Sequence, residues 1–531
     1  MNSVARHILD LSRRGLLRGG TAMAALAAIR PAFAQNVAPM PVFQSDPFPL
    51  GVASGDPWPD GVVIWTRLSQ DPLGDGGLPP APLELRWEVA EDEGFSRVAT
   101  RGTAIARPEQ DHSLRVEVTG LRPAATYFYR FIAGGVASPV GRTRTAPAKN
   151  TRPERLRFVS AGCQHYEQGL FTCWRHVAAE ADLDFVFHYG DYIYEGRASG
   201  ERSGNFPAIR HHNSPAVETL EAYRRRYALY QLDPDLRAAH HAHPFIMSFD
   251  DHEVDNNWAA AVAGHSGVAP EVFALRKAAA FQAWYEAMPL RRAQIPNGPD
   301  IVAYRGVDWG TLASISVLDT RSFRDDQPCG DFVKPVCEAA LNPAAHVLGP
   351  AQEGWLFGRL AGAEAVWNIL AQQVVMMRRD VGGLNGDDTP RYDMDKWDAY
   401  PAARTRLLNH VRRARVQNLT VLTGDVHTAW AGTLRPDYDR EGPAVGVEFV
   451  ASSMSSAGDG AEMSATGRRA LDRNPHIAFF NGRRGYTLHE ADAREMQTRF
   501  RAVPYVSRPG APVEDKACFV VEAGRAALLR A

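Results

Sequence analysis

The sequence has no surplus of charge of either sign. Its 59 Lys and Arg against 61 Asp and Glu leave a formal net charge of -2 over 531 residues. A standing nucleic-acid partner needs a basic footprint, so none is implied. Beyond the N-terminus no stretch is long and apolar enough to span a bilayer. Cysteine is scarce: Cys163, Cys173, Cys329, Cys337 and Cys518. An odd count in an oxidising compartment leaves at least one thiol unpaired or bound to metal. Cys329 and Cys337 bracket a short loop and are the candidate disulfide; spacing alone does not prove the bridge. The remaining composition, 45% hydrophobic and 23% charged, is that of a soluble globular protein. The length exceeds what one core usually covers, which predicts two domains.

The first 34 residues stand apart. Ser12-Arg-Arg-Gly-Leu-Leu-Arg18 leads a mild apolar segment, Thr21 to Ile29, and Ala32-Phe-Ala34 then fits a small-x-small cleavage site. This resembles a bacterial Tat signal peptide. The resemblance implies export by the Tat translocase, a periplasmic or secreted mature protein, and no transmembrane anchor after cleavage. Tat carries folded proteins, often with metal already inserted, so the address itself hints at a cofactor.

Residues 46–146 read as a unit. Val62–Trp65, Leu83–Val89, Leu114–Val118 and Thr126–Phe131 suit short strands separated by Gly, Pro and Asp turns, which predicts a β-sandwich. Gly120 to Tyr129 resembles the leucine-to-tyrosine corner of fibronectin type III domains. A linker at Thr145 to Pro153 ends the unit. From residue 154 the texture changes. Leu156–Ser160, Asp184–Phe187, Phe245–Phe249, Leu312–Leu318, Val366–Leu370, Leu419–Leu422 and Val445–Val450 read as buried strands. Helical segments around 168–180, 214–230, 267–288 and 403–415 separate several of them, predicting an α/β domain over 154–531. Gly330 to Val347 and Gly382 to Trp397 are long loops, of a length that is usually functional or mobile.

Four strand exits carry chemistry. They give Cys163-Gln-His165; Gly190-Asp191-Tyr-Ile-Tyr194; Asp250-Asp251-His252-Glu253 running on to Asn257; and Gly424-Asp425-Val-His427. Ligands and catalytic groups collect at the carboxyl ends of strands in open α/β sheets. Each exit alone is ordinary turn chemistry. Four together are not.

Asp-x-x-Tyr, then Asp-Asp-His-Glu, then Gly-Asp-Val-His resembles the calcineurin-type metallophosphoesterase pattern, in the variant of PhoD-type alkaline phosphatases and phosphodiesterases. Gly51–Pro57, Leu318–Arg321, Leu370–Gln373 and Trp397–Pro401 match that family too. The resemblance implies a four-layer αββα catalytic domain preceded by an all-β Ig/fibronectin III-like sandwich. It also implies hydrolysis of phosphate esters: small monoesters or diesters, or a phospholipid. Asp191 is then the bridging carboxylate between two cations. Cys163, Tyr194 and His427 join it around trivalent iron, while Asp251, Asn257 and Asp425 are hard oxygen donors suited to calcium. Oxygen where the family commonly has nitrogen moves the second site from zinc or manganese towards calcium. Between Asn256 and Asn257 the spacing does not decide, and Asn257 is preferred. His252 is the candidate catalytic proton donor, oriented by Glu253 or Asp250, and Tyr192 and Tyr166 are candidate pocket walls. Competing readings are a phospholipase D-like diesterase, a thiol hydrolase using Cys163 with His165 as base, and a non-catalytic, metal-containing surface-binding protein. Whether the stretch after 485 covers the site is left open.

Overall fold

The computed structural model describes residues 37–531 apart from 213, 266 and 383–386. The signal-peptide reading, residues 1–34, lies outside the described residues. The fold is mixed α/β and rich in sheet. Leu156–Ala161, Phe185–His188 and Pro244–Met247 run parallel. A second parallel set is Ala313–Val317, Trp367–Ala371, Leu419–Thr423 and Gly446–Val450. These are the apolar runs expected from the sequence. They are buried almost throughout, as strands with both faces covered must be.

The two parallel sets are joined by one long strand, Ile477–Ala491. Its first part pairs with Ala429–Leu434. Its later part pairs with Leu156–Ala161 on one side and Glu495–Val503 on the other. Phe158, Phe185 and Ile246 from the first set share one core with Ile315, Trp367, Leu422 and Phe449 from the second. Other faces are covered by helices. Thr172–Ala178, Leu220–Gln231, Pro234–Ala242 and Pro270–Ala287 pack with the first set. Gly349–Ala361 and Pro401–Arg413 pack with the second.

The segment 46–146 is divided between two sheets. Val52–Trp58 pairs in parallel with Pro244–Met247 and antiparallel with Gly61–Arg67, which in turn pairs with Ser113–Thr119. Leu83–Ala90, Val98–Ala106, Thr126–Ala133 and two short strands form a separate five-stranded sheet. Met40–Ala531 make one compact unit. The stretch after 485 continues the sheet as Glu495–Val503 and Glu514–Glu522. Cys329 and Cys337 form a disulfide, while Cys163, Cys173 and Cys518 are free.

Candidate metal centre

Each strand exit ends in a turn that needs left-handed backbone. Cys163, Asp191, Asn257, Asp425 and His427 all have φ between 53 and 68°. Such a residue costs about 1–2 kcal/mol relative to ordinary backbone, and clusters of them collect where a site requires it. Gly190, at φ 123°, sets up the Asp191 turn, and a Cβ there would collide with the backbone of Asp250. All of these turns except that of Cys163 bring their side chains to one cavity of about 600 Å³, ample for a small ligand. Asp191, Asp251, His252, Asn256, Asn257, Asp425 and His427 line it.

Three groups of donor atoms lie within 4.8 Å of one another: Cys163, Asp191 and His427; Asp191, Asp251 and His252; Asp250, Asp251 and Asp425. Asp191 belongs to two of them. Tyr194 joins the first, its hydroxyl donating to Asp191 Oδ2 at 2.9 Å and lying 3.1 Å from His427 Nε2. Asp191 Oδ1 and Asp251 Oδ1 are buried without a hydrogen-bond partner. An unpaired buried carboxylate oxygen is costly, and a cation is the partner that fits it. Burial, with Asp191 adding, pushes the Cys163 thiol and the Tyr194 phenol well above their ordinary values. Left alone both keep their protons; they become anionic donors only where a cation replaces those protons. Burial also works against charge on Asp191. His252 and His427, with the Tyr194 hydrogen bond, outweigh it and hold the carboxyl well below its usual range. The donor set fits a pair of cations.

The surroundings differ from expectation at His252. Its Nδ1 lies 2.7 Å from Glu195 Oε2, and Glu195 Oε1 accepts the Asn256 N–H at 3.0 Å. Glu195, not Glu253 or Asp250, orients the ring. Burial alone would neutralise both groups. The pair outweighs it, holding Glu195 at about 2 and His252 well above its ordinary value, an imidazolium. Glu253 instead accepts the backbone N–H groups of Asp191, Tyr192 and Asp250, pinning two strand exits together. Asp250 is engaged by Arg321.

Arg321 is fully buried. Its Nε donates to Asp250 Oδ1 at 2.5 Å and its Nη1 to Asp395 Oδ1 at 2.8 Å. Nη2 sits 3.6 Å from both Asp251 and Asp425. Lys396 lies 2.5 Å from Asp425 and 3.0 Å from Asp395. Even so, burial lifts Asp425 to about 7. Glu195, Arg321, Asp395 and Lys396 are site residues that sequence reasoning did not assign, although Glu195 directly follows Tyr194.

Two of the alternatives raised by the sequence drop out. Tyr192 is buried with its hydroxyl on His240, and neither it nor Tyr166 lines the cavity. Nor does Cys163 fit a nucleophile: it does not line the cavity, and its thiol is pushed up rather than down. His165 accepts the Glu167 N–H through Nδ1 and packs at a tilt against the Tyr194 ring, 4.3 Å between centroids.

Residues 158–500 match the model of the PhoD-like phosphatase family, and residues 34–147 that of the PhoD-like phosphatase N-terminal domain. Alkaline phosphatase D of Bacillus subtilis is 44% identical over 464 residues, which are 87% of this chain and 78% of that protein. A solved structure described as that of PhoD superposes with a TM-score of 0.89 at 44% identity, covering 92% of this chain and 93% of the other. Fold, cavity and relatives together define a hydrolase of phosphate esters, which removes the non-catalytic reading. The chain belongs to the PhoD-like phosphatase family.

Proposed function

We propose that this phosphohydrolase works through a bound cation pair: Cys163, Asp191, Tyr194 and His427 would hold Fe3+, and Asp251, Asn257 and Asp425, together with Asp191, would hold Ca2+. The observation that carries this is the three donor groups sharing Asp191 and Asp251 on the wall of one cavity. When bound, such a pair would supply charge neutralisation at the phosphoryl oxygens and a water acidified towards a pKa of ~7. The chain supplies the rest. Glu253 ties the Asp191 and Asp250 turns in register. His252, its Nδ1 engaged by Glu195, keeps Nε2 as the atom that delivers a proton to the leaving oxygen. Arg379 and Lys396 add positive charge to the cavity wall.

Phosphate monoesters and diesters both suit such a site. Phe332 and Val333 also line the cavity, and Phe332 is 71% exposed. That apolar rim favours a leaving group with an apolar part and keeps a phospholipase D-like diesterase as the second reading. Export by Tat to the periplasm or medium is part of the proposal. The Cys329–Cys337 bridge supports an oxidising compartment, and among the described residues no helix is long and apolar enough to cross a membrane. We read 154–531 as the four-layer αββα catalytic domain, a reading supported by one core between the two strand sets and helices against each. The five-stranded sheet within 46–146 supports an Ig/fibronectin-like module there.

The test is hydrolysis of an aryl phosphate, a bis-aryl phosphodiester and phosphatidylcholine before and after a calcium chelator. Activity on every substrate turned over should vanish on chelation and return with calcium. Undiminished turnover in chelator would refute the metal requirement.

A further inference from the structure

The loop that supplies the apolar rim also carries Asp331, a cavity-lining carboxylate with no part in holding metal or substrate. The turn closed by the Cys329–Cys337 bridge brings Asp331, Phe332 and Val333 to the cavity. Its Val333–Lys334 segment pairs antiparallel with Tyr392–Asp393. The turn is therefore fixed twice, by a covalent bridge and by a strand pair.

Asp331 reaches from this turn to Asn257. Asn257 Nδ2 donates to both carboxylate oxygens, at 2.9 and 2.8 Å, and Asp331 Oδ1 also accepts the Phe332 N–H at 2.6 Å. The backbone of Asn257 is held as well, its N–H on Asp251 Oδ2 at 2.8 Å and its carbonyl accepting from Gln327 at 2.7 Å. Among the described residues no hydrogen bond engages Asn257 Oδ1. A carboxamide carries its donors and its acceptor on opposite sides. With a carboxylate against the NH2 side, the amide cannot flip without setting two oxygens against an oxygen. Its oxygen is then the face left for a cation, and hard oxygen is what calcium takes.

We propose that Asp331 is the positioning residue of Asn257: it orients the amide so that Oδ1 is offered to calcium, and the Cys329–Cys337 bridge holds Asp331 in place to do so. This rests on the reading of Asn257 as a calcium ligand. Partners of this kind, one step out from a ligand, typically change metal affinity about 10–100-fold when removed.

The experiment is calorimetric titration of calcium into the full chain after calcium removal, with iron content measured on the same samples. Asp331→Ala should weaken calcium about 10–100-fold and leave iron content unchanged. Asp331→Asn, which keeps one acceptor for the amide, should show a smaller loss in the same direction, as should Cys329→Ser with Cys337→Ser. Wild-type calcium affinity in either Asp331 variant, while Asn257→Ala loses calcium, overturns the proposal alone. Asn257→Ala binding calcium as the wild type does, or a wild type that binds none, overturns the ligand reading and the proposal with it. Equal loss of iron and calcium in both Asp331 variants would mark a general structural role and also overturn it.

Discussion

Asp191→Ala should abolish hydrolysis and release bound metal in the same variant. The carboxylate belongs to two of the three donor groups, so in the proposed centre its loss would strip a ligand from both cations at once. It also removes the acceptor of the Tyr194 hydroxyl and a charge that helps keep His252 protonated. The expected loss in kcat/KM is at least ~1,000-fold, about 4 kcal/mol of transition-state stabilisation. Secondary structure should survive, because the Asp191 N–H on Glu253 and the strand before it do not depend on the side chain. Turnover within tenfold of wild type, with full metal content, would remove Asp191 from the bridge.

Arg321→Met should be the most destabilising single change beneath the site. The guanidinium has no exposed surface and compensates Asp250 and Asp395 directly, with Asp251 and Asp425 close behind. Asp395 keeps Arg324 and Lys396 as partners, but Asp250 loses the one cation within 4 Å of it among the described residues. Breaking a buried pair from one side leaves an uncompensated charge and costs about 3–5 kcal/mol. Urea unfolding followed by tryptophan fluorescence reads it. A midpoint unchanged from wild type would show that Asp250, whose carboxyl burial already pushes well above its ordinary value, takes up a proton once the guanidinium is gone, and that the ion pairs of Arg321 carry no stability.

Much of the fold and site was legible because the chemistry is local. A run such as Leu419–Thr423, followed at once by Gly424, Asp425 and His427, states both a buried strand and a functional exit. The structure brings Cys163, Asp191, Tyr194, Asp251, Asp425 and His427 together as that pattern implied. Gly51–Pro57 drew attention as a family match but not as part of a strand, because Ser54, Gly55, Asp56 and Pro57 are poor strand formers. Val52–Trp58 is a strand nonetheless, its polar residues buried against Pro244–Met247 and Arg305. Ile477–Ala491 was hidden for a related reason. Gly482, Arg483, Arg484 and Gly485 look like a break, yet Arg484 is buried and the strand bends through them to join the two parallel sets. Glu195, Arg321, Lys396 and Asp331 were illegible as site residues for a different cause. Each acts through a partner 57 or more positions away or across two loops, and no spacing rule encodes such a meeting.

The proposed chemistry requires an iron–calcium pair in this cavity, divided by Asp191. Metal analysis with a visible spectrum, on protein purified without chelator, is the decisive measurement. Iron together with calcium is expected, with a charge-transfer band from the Tyr194 phenolate or Cys163 thiolate. Zinc or manganese without such a band would contradict the ligand division, and folded, active protein without metal would contradict the metal requirement itself.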